Sequence, residues 1–212
     1  DRMLERMRRR VTRAETETLL AKLRDRVPGM AIRTTFITGF PGETEADHEA
    51  LVEFVREQRF EAMGVFRYSR EEGTPAGTMD LDPALQVPDE VKAEREAELM
   101  LVQQENAFAD AAWQAEQGAI LDVLIDGVAG GSGVPATPAL DLAAGEHLHA
   151  GRAYHQAPQI DSMTAVVSTA TLAPGELVRC VVVASDGYDL VARPEQELQD
   201  AAEGRIGLPV VG

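Results

Sequence analysis

The sequence predicts a mixed fold: a parallel α/β segment, then a long helix, then a small all-β barrel. Three observations lead to it. Helix-like and strand-like runs alternate near the start, residues 89–117 contain no glycine or proline, and short valine-rich runs follow Gly118. The predicted divisions are 1–87 for the α/β segment, 88–117 for a linker helix, 118–192 for the barrel and 193–212 for a tail.

The α/β segment is expected to hold two helices and two strands. Apolar residues at partly helical spacing predict a helix over 4–27, which a Pro-Gly pair ends. β-Branched and aromatic residues predict a buried strand over 31–40, and a helix over 43–58 and a second strand over 62–69 follow. Because two strands do not complete a parallel sheet, the missing strands are expected from a region N-terminal to this chain or from a partner.

The rest of the chain is interpreted from its turn residues and valine runs. Glycine and proline predict a loop over 70–87 and a long hairpin loop over 127–149, while the tail has no clear pattern. Five short strands suggest a closed barrel. They are expected at 120–125, 151–154, 163–167, 177–183 and 188–191.

The charge balance bears on the kind of partner. The chain has 36 acidic and 20 basic residues, a formal net charge of −16. Such a surface repels phosphate backbones and attracts basic partners, so strong nucleic-acid binding is not expected. Residues 118–212 hold 12 acidic and 4 basic residues, which makes the predicted barrel acidic as well.

One basic island interrupts this acidic chain. It consists of six arginines near the start: Arg2, Arg6, Arg8, Arg9, Arg10 and Arg13. A solvated helix face and a site that holds an anionic group are both open interpretations.

Cysteine and histidine usage argues against a metal centre within these residues. Cys180 is the single cysteine, which excludes internal disulfides and a cysteine-held cluster, and its apolar neighbours predict a buried thiol. His147 and His149, in the predicted loop, are a weak ligand pair. No apolar run reaches the roughly 20 residues of a membrane span. We therefore expect no metal site, no membrane contact and a reducing, cytoplasmic setting.

Several motifs resemble those of radical-SAM methylthiotransferases. The strongest is Ile-Arg-Thr-Thr-Phe-Ile-Thr-Gly-Phe-Pro-Gly-Glu-Thr at 32–44, which is similar to the fifth strand of that family's core. Supporting motifs are Arg-Met-Arg-Arg at 6–9, the run from Gly64 to Thr74, and Arg95 with two glutamines on the linker helix. Residues 151–161 and a Tyr-Asp-Leu run at 188–190 resemble the RimO branch rather than the tRNA-modifying MiaB branch.

The resemblance implies a fold and a chemistry. The fold would be the C-terminal part of a partial TIM barrel followed by a TRAM barrel. The family uses S-adenosylmethionine and two 4Fe-4S clusters to remove hydrogen from an unactivated carbon before inserting sulfur. In the RimO branch that carbon is the β-carbon of an aspartate in the basic small-subunit ribosomal protein number twelve. None of the six cluster cysteines is present here, so this chain alone is expected to be inactive.

Family position also suggests site residues. Six residues would contact the cofactor: Arg33, Thr35, Ile37, Gly39, Phe66 and Tyr68. Arg33, at the start of a strand expected to be buried, would need an anionic partner. A plain strand-to-helix turn explains Gly39 equally well, and core packing explains Ile37 better than a contact with the adenine ring does. Arg152, Tyr154 and Asp161 would contact the protein substrate, although an ordinary barrel surface also explains them. No catalytic residue is assigned.

Two other functions remain open at this point. A MiaB-like tRNA methylthiotransferase would need a basic barrel, and the Thr-Thr-Phe order at 34–36 lacks the Asp typical of the tRNA branch after the first Thr. A non-catalytic binding protein that contains a TRAM domain is the third interpretation.

Overall fold

The computed structural model describes residues 1–134, 138, 140–158 and 160–204. Contacts within the chain divide it into two compact units, residues 1–106 and 107–212. The first unit contains two strands among helices, and the second contains a closed barrel.

The helix expected over 4–27 is two helices, so that prediction was wrong. α1 spans Arg2–Arg6 and α2 spans Arg13–Arg26. Arg8 has a φ of +57°, in the left-handed region that ends a right-handed helix. Thr12 then starts α2 with a capping box, because its side chain accepts a hydrogen bond from the Glu15 backbone and the Glu15 side chain accepts one from the Thr12 backbone.

The predicted pair of parallel strands is confirmed. β1 spans Arg33–Thr38 and β2 spans Ala62–Arg67, and they pair in parallel as a two-stranded sheet. α3, Glu45–Gln58, connects them. The loop expected over 70–87 contains a short helix, α4, at Pro75–Met79, where Thr74 caps the first turn and proline takes a position whose backbone N–H has no helical partner.

The core of the first unit lies on one side of this sheet. The long helix α5, Asp89–Gln117, begins where the linker helix was expected, and its buried Leu99 and Val102 meet Val55 of α3 and Val65 of β2. α2 adds Leu20 to a second cluster with Phe54 and Phe60. Burial of these side chains removes apolar surface from water, which stabilises the unit.

The second unit contains the predicted closed barrel, whose strand order is β3-β4-β5-β7-β6. The strands are β3 Ile120–Val128, β4 His147–Arg152, β5 Thr164–Ser168, β6 Leu177–Asp186 and β7 Asp189–Pro194. All neighbouring pairs are antiparallel except β5 with β7. Its core contains Val123, Ile125, Val166, Leu172, Cys180 and Ala192.

Three details of the second unit differ from expectation. β3 and β4 extend into the segment predicted as a loop over 127–149, so His147 and His149 lie on a strand. The tail contains a helix, α6, at Glu195–Ala202, and its last eight positions, 205–212, lie outside the described residues. The signal for α6 is the run of helix-forming residues that follows Pro194.

Candidate functional site

The turn after β1 has a backbone that requires glycine. Gly39 and Gly42 have φ values of +72° and +80°, a region that other residues enter only with strain. A Cβ on Gly39 would lie 2.3 Å from Cγ of Lys92 on α5. The sequence alone did not decide whether position 39 requires glycine for the turn or for a ligand. The positive φ of Gly39 and the close approach of Lys92 show that the turn requires glycine here.

A buried ion pair holds this turn against α5. The Arg95 guanidinium donates to Oε1 of Glu43 at 2.9 Å, and both side chains are less than a tenth exposed. Glu43 also accepts hydrogen bonds from the Gly39 backbone N–H at 3.0 Å and the Thr38 hydroxyl at 3.3 Å. Glu43 thus joins the end of the strand, the turn and the long helix. Sequence reasoning noted Arg95 only as part of a family pattern and missed this role.

The first turn of α3 is held in a similar way from the N-terminal helix. Thr44 and Asp47 form a capping box, and Arg2 of α1 forms an ion pair with the Asp47 carboxylate. Partial burial raises the pKa of Asp47, but hydrogen bonds from Thr44 and Arg2 outweigh it and lower the value to about 2. Arg6 donates to the Pro41 carbonyl at 3.2 Å. α1 is therefore fastened to the segment that directly follows β1.

Four of the six predicted cofactor residues lie on one face of the sheet. Arg33, Thr35 and Ile37 alternate along β1 and are all exposed. Ile37 is in register with Phe66 of β2, whose side chain is 65% exposed. Thr35 is in register with Gly64, which leaves space above the sheet. The structure therefore brings a cation, a hydroxyl and two large apolar side chains to the side of the sheet opposite the core.

The expectation that Arg33 is buried was wrong. The alternation of β1 directs Phe36 and Thr38 towards the helices and leaves Arg33 exposed on the other side. A continuous apolar run predicts a strand covered on both faces, and here only one face is covered within the described residues. Because the Arg33 side chain is exposed, its charge does not require a buried anionic partner, and burial is no longer an argument that Arg33 binds an anionic ligand.

Tyr68 has a different environment from the other predicted cofactor residues. Its ring packs edge-on against Phe40 at 5.4 Å between centroids, and the Lys92 ammonium lies 5.7 Å from its ring centre. Burial raises the pKa of the Tyr68 hydroxyl, whose oxygen has no hydrogen-bond partner among the described residues. Tyr68 thus packs beside the turn, together with the side chain that lies over Gly39.

The three predicted substrate residues lie near the end of β4 and in the loop that follows it. Arg152 forms an ion pair with Asp126 of β3. Tyr154 is 70% exposed and stacks edge-on against His155. Asp161 accepts a hydrogen bond from the Ala157 backbone at 2.7 Å, so it shapes the loop. Of the three, Tyr154 presents the most side-chain surface.

Gln156 is a structural residue of this loop that sequence reasoning missed. It is buried, and its Oε1 accepts hydrogen bonds from the Ala153 backbone N–H and the Thr164 hydroxyl, each at 2.8 Å. These bonds tie the loop to β5 and fix the segment that carries Tyr154. A glutamine in a polar loop gives no sequence signal for such a role.

Cys180 and His149 are both buried in the barrel. Cys180 is fully buried, as predicted, and burial raises the pKa of its thiol to about 12. His149 is also fully buried. Its Nε2 accepts a hydrogen bond from the Leu172 backbone, and burial lowers its pKa. No group of three or more histidine, cysteine or carboxylate side chains suited to a metal occurs in the part of the chain that the structure describes.

A further buried ion pair lies in the same unit. Arg193 of β7 donates to Glu146 at 2.7 Å, and both side chains are almost fully buried. Although burial raises the pKa of Glu146, its hydrogen bonds from Ala143 and Arg193 lower it overall. The pair fastens the segment before β4 to β7.

Comparisons with known proteins found similar sequences that cover both units of the chain. The family model described as TRAM domain matches residues 118–194. The ribosomal protein uS12 methylthiotransferase RimO of Anaeromyxobacter sp. strain K is 46% identical over 193 residues, which cover 91% of this chain and 37% of the relative. The chain corresponds to the C-terminal part of RimO-type methylthiotransferases.

Two further RimO relatives extend the match. That of Anaeromyxobacter sp. strain Fw109-5 is 43% identical over the whole of this chain and 43% of the relative. That of Lachnoclostridium phytofermentans is 42% identical over 92% of this chain and 40% of the relative. The chain thus spans about two-fifths of the length of these RimO relatives. None of the helices in the described ranges combines the length and hydrophobicity that a bilayer span requires.

Proposed function

We propose that this chain forms part of the cofactor-binding core and the substrate-docking barrel of a radical-SAM enzyme. That enzyme would methylthiolate the β-carbon of an aspartate in the small-subunit ribosomal protein uS12. The observation that carries the proposal is the 46% identity to a RimO relative over nine-tenths of the chain. The geometry of the two units adds independent support for each part of it.

The exposed face of β1 and β2 fits S-adenosylmethionine. Ile37 and Phe66 provide apolar surface for the adenine ring, and Arg33 provides a cation for the carboxylate. The turn at Gly39 lies at the carboxyl end of β1, the edge where parallel α/β sheets bind ligands. When reduced by an iron–sulfur cluster, this cofactor supplies the hydrogen abstraction that precedes sulfur attachment.

The residues of this chain do not fit an iron–sulfur cluster. Such clusters are bound by thiolates, and the only cysteine is buried in the barrel with a pKa raised to about 12. The cluster ligands of the proposed enzyme would therefore lie outside these 212 residues. The two strands β1 and β2 form a sheet with open edges among the described residues, and we propose that strands from the same outside region complete it.

The acidic barrel is proposed to bind the basic ribosomal protein. Its charge would attract that protein and repel free RNA. Tyr154 would be the main contact because it is a large, exposed side chain on a loop held by Gln156. This arrangement favours the RimO-like function over a tRNA-modifying one.

A binding experiment with purified uS12 tests the docking role. We expect salt-dependent binding to the chain, and Tyr154→Ala should weaken it at least tenfold because aromatic contacts often dominate interfaces. Leu177→Ala is the matched control, since it removes another exposed apolar side chain of the barrel. Tighter binding of tRNA than of uS12, or equal losses in both variants, would contradict the proposal.

A further inference from the structure

Three consecutive arginines form a turn between α1 and α2, defined here as the arginine turn: Arg8, Arg9 and Arg10. All three are exposed, and none forms an ion pair or a side-chain hydrogen bond with another residue of the described ranges. The neighbouring arginines differ. Arg2 and Arg13 form ion pairs with carboxylates, and Arg6 donates a hydrogen bond to the Pro41 carbonyl.

The arginine turn has a defined backbone. The Arg8 and Arg9 backbone N–H groups donate to the Glu5 and Leu4 carbonyls at 2.9 and 2.8 Å. On the far side, the Arg13 backbone N–H donates to the Asp1 carboxylate at 2.7 Å. The backbone at both ends of the arginine turn is thus hydrogen-bonded, so three neighbouring guanidinium groups start from an ordered segment. An ordered backbone loses less entropy on binding than a flexible one.

Its place in the fold puts this turn beside the proposed cofactor site. Arg2 donates to the Gly42 carbonyl and Arg6 to the Pro41 carbonyl, so α1 lies against the segment that follows β1. Arg8 is two residues beyond Arg6. If the function proposed above is correct, the substrate aspartate must approach this same edge of the sheet.

We propose that the arginine turn binds the phosphodiester backbone of RNA that accompanies the ribosomal protein substrate. Arginine binds phosphate through paired N–H groups, and three unpaired guanidiniums supply several such donors. At physiological salt, charges interact over roughly 8 Å, so this local cluster acts despite the net charge of −16. Phosphate contacts of this kind are weak and independent of nucleotide sequence.

The test measures binding of a labelled single-stranded RNA to the full chain at several salt concentrations. Three phosphate contacts predict a slope of about −2 in log affinity against log salt, equivalent to roughly a 20-fold loss between 50 and 200 mM. The triple variant Arg8→Gln/Arg9→Gln/Arg10→Gln should lose at least tenfold in affinity at 50 mM and most of the slope. A triple lysine variant at the same positions should retain most of the slope, because it preserves the charge.

A charge-matched control separates the arginine turn from net charge. Arg26→Gln/Arg56→Gln/Arg70→Gln removes three other exposed arginines, and it should bind RNA almost as the unmodified chain does. Equal losses in the two glutamine variants, absence of salt-dependent binding, or equal affinity for polyglutamate would overturn the proposal. The uS12 experiment involves the barrel, so its failure with the RNA slope intact counts against the proposed function alone.

Discussion

Breaking the buried Arg95–Glu43 pair should destabilise the first unit strongly. Replacing Arg95 with Met removes the 2.9 Å contact and leaves a carboxylate with less than a tenth of its surface in water. Removing one partner of a buried pair costs about 3–5 kcal/mol. The Gly39 and Thr38 donors to Glu43 remain, which places the expected loss near the lower end of that range. The second contact of Arg95, to the exposed Glu45, adds little.

The measurement is urea unfolding followed by circular dichroism at 222 nm, because the first unit is mainly helical. Arg67→Met is the matched control, because Arg67 pairs with Glu96 on the same helix as Arg95. The Arg67 side chain is 53% exposed and that of Glu96 is 33% exposed, so loss of this pair should cost under about 1 kcal/mol. Glu43→Gln should also destabilise, and the double variant should lose less than the sum of the single variants. A loss below about 1 kcal/mol for Arg95→Met, or strict additivity, would refute the reasoning.

Three further predictions concern burial. Phe66→Ala should change the free energy of unfolding by no more than about 0.5 kcal/mol, whereas Phe60→Ala, at a buried site, should cost about 3–5 kcal/mol in the same urea titration; a large loss for Phe66 would mean that its ring is covered in solution. Burial lowers the pKa of His149 in the folded chain below its value of about 6.5 in the unfolded chain. As the pH drops below about 6.5, His149 is therefore protonated in the unfolded chain before it is protonated in the folded one, and the free energy of unfolding should fall. The urea midpoint between pH 7.5 and 5 should therefore fall less in His149→Gln, and an unchanged pH dependence would count against this cause. Cys180 should react with a thiol reagent at pH 8 only after unfolding, as its high pKa and full burial require, and rapid labelling of the folded chain would contradict its placement.

The elements with strong periodicity or clear end signals were predictable from the sequence. The Pro-Gly turn after β1, the glycine-free α5 and the valine-rich barrel strands all lie near their expected positions. The break between α1 and α2 was missed because arginine is a good helix former, and nothing in its identity indicates the positive φ of Arg8. The Thr-x-x-Glu pattern at 12–15 is the sequence signal of a capping box, and it indicates that a new helix begins after Thr12.

The candidate site was predictable in part. Alternation along β1 follows from strand geometry, so the shared face of Arg33, Thr35 and Ile37 could be derived once the strand was recognised. Which face is covered depends on helices far along the chain, and the sequence alone gave the wrong answer for Arg33. The Arg95–Glu43 contact joins residues 52 positions apart, and no local pattern predicts it.

The two sheets of this chain differ in how they can associate with other strands. In the barrel, every strand has a neighbour on each side, so the ring has no free edge for another strand to join. The pair β1 and β2 is open on both outer sides among the described residues, and Phe66 projects from its exposed face. At high protein concentration, copies of the chain should therefore associate through the first unit and not through strand pairing of the barrel. Lysines introduced on the outer edges of both β1 and β2, rather than on the barrel, are the change that should keep the chain monomeric.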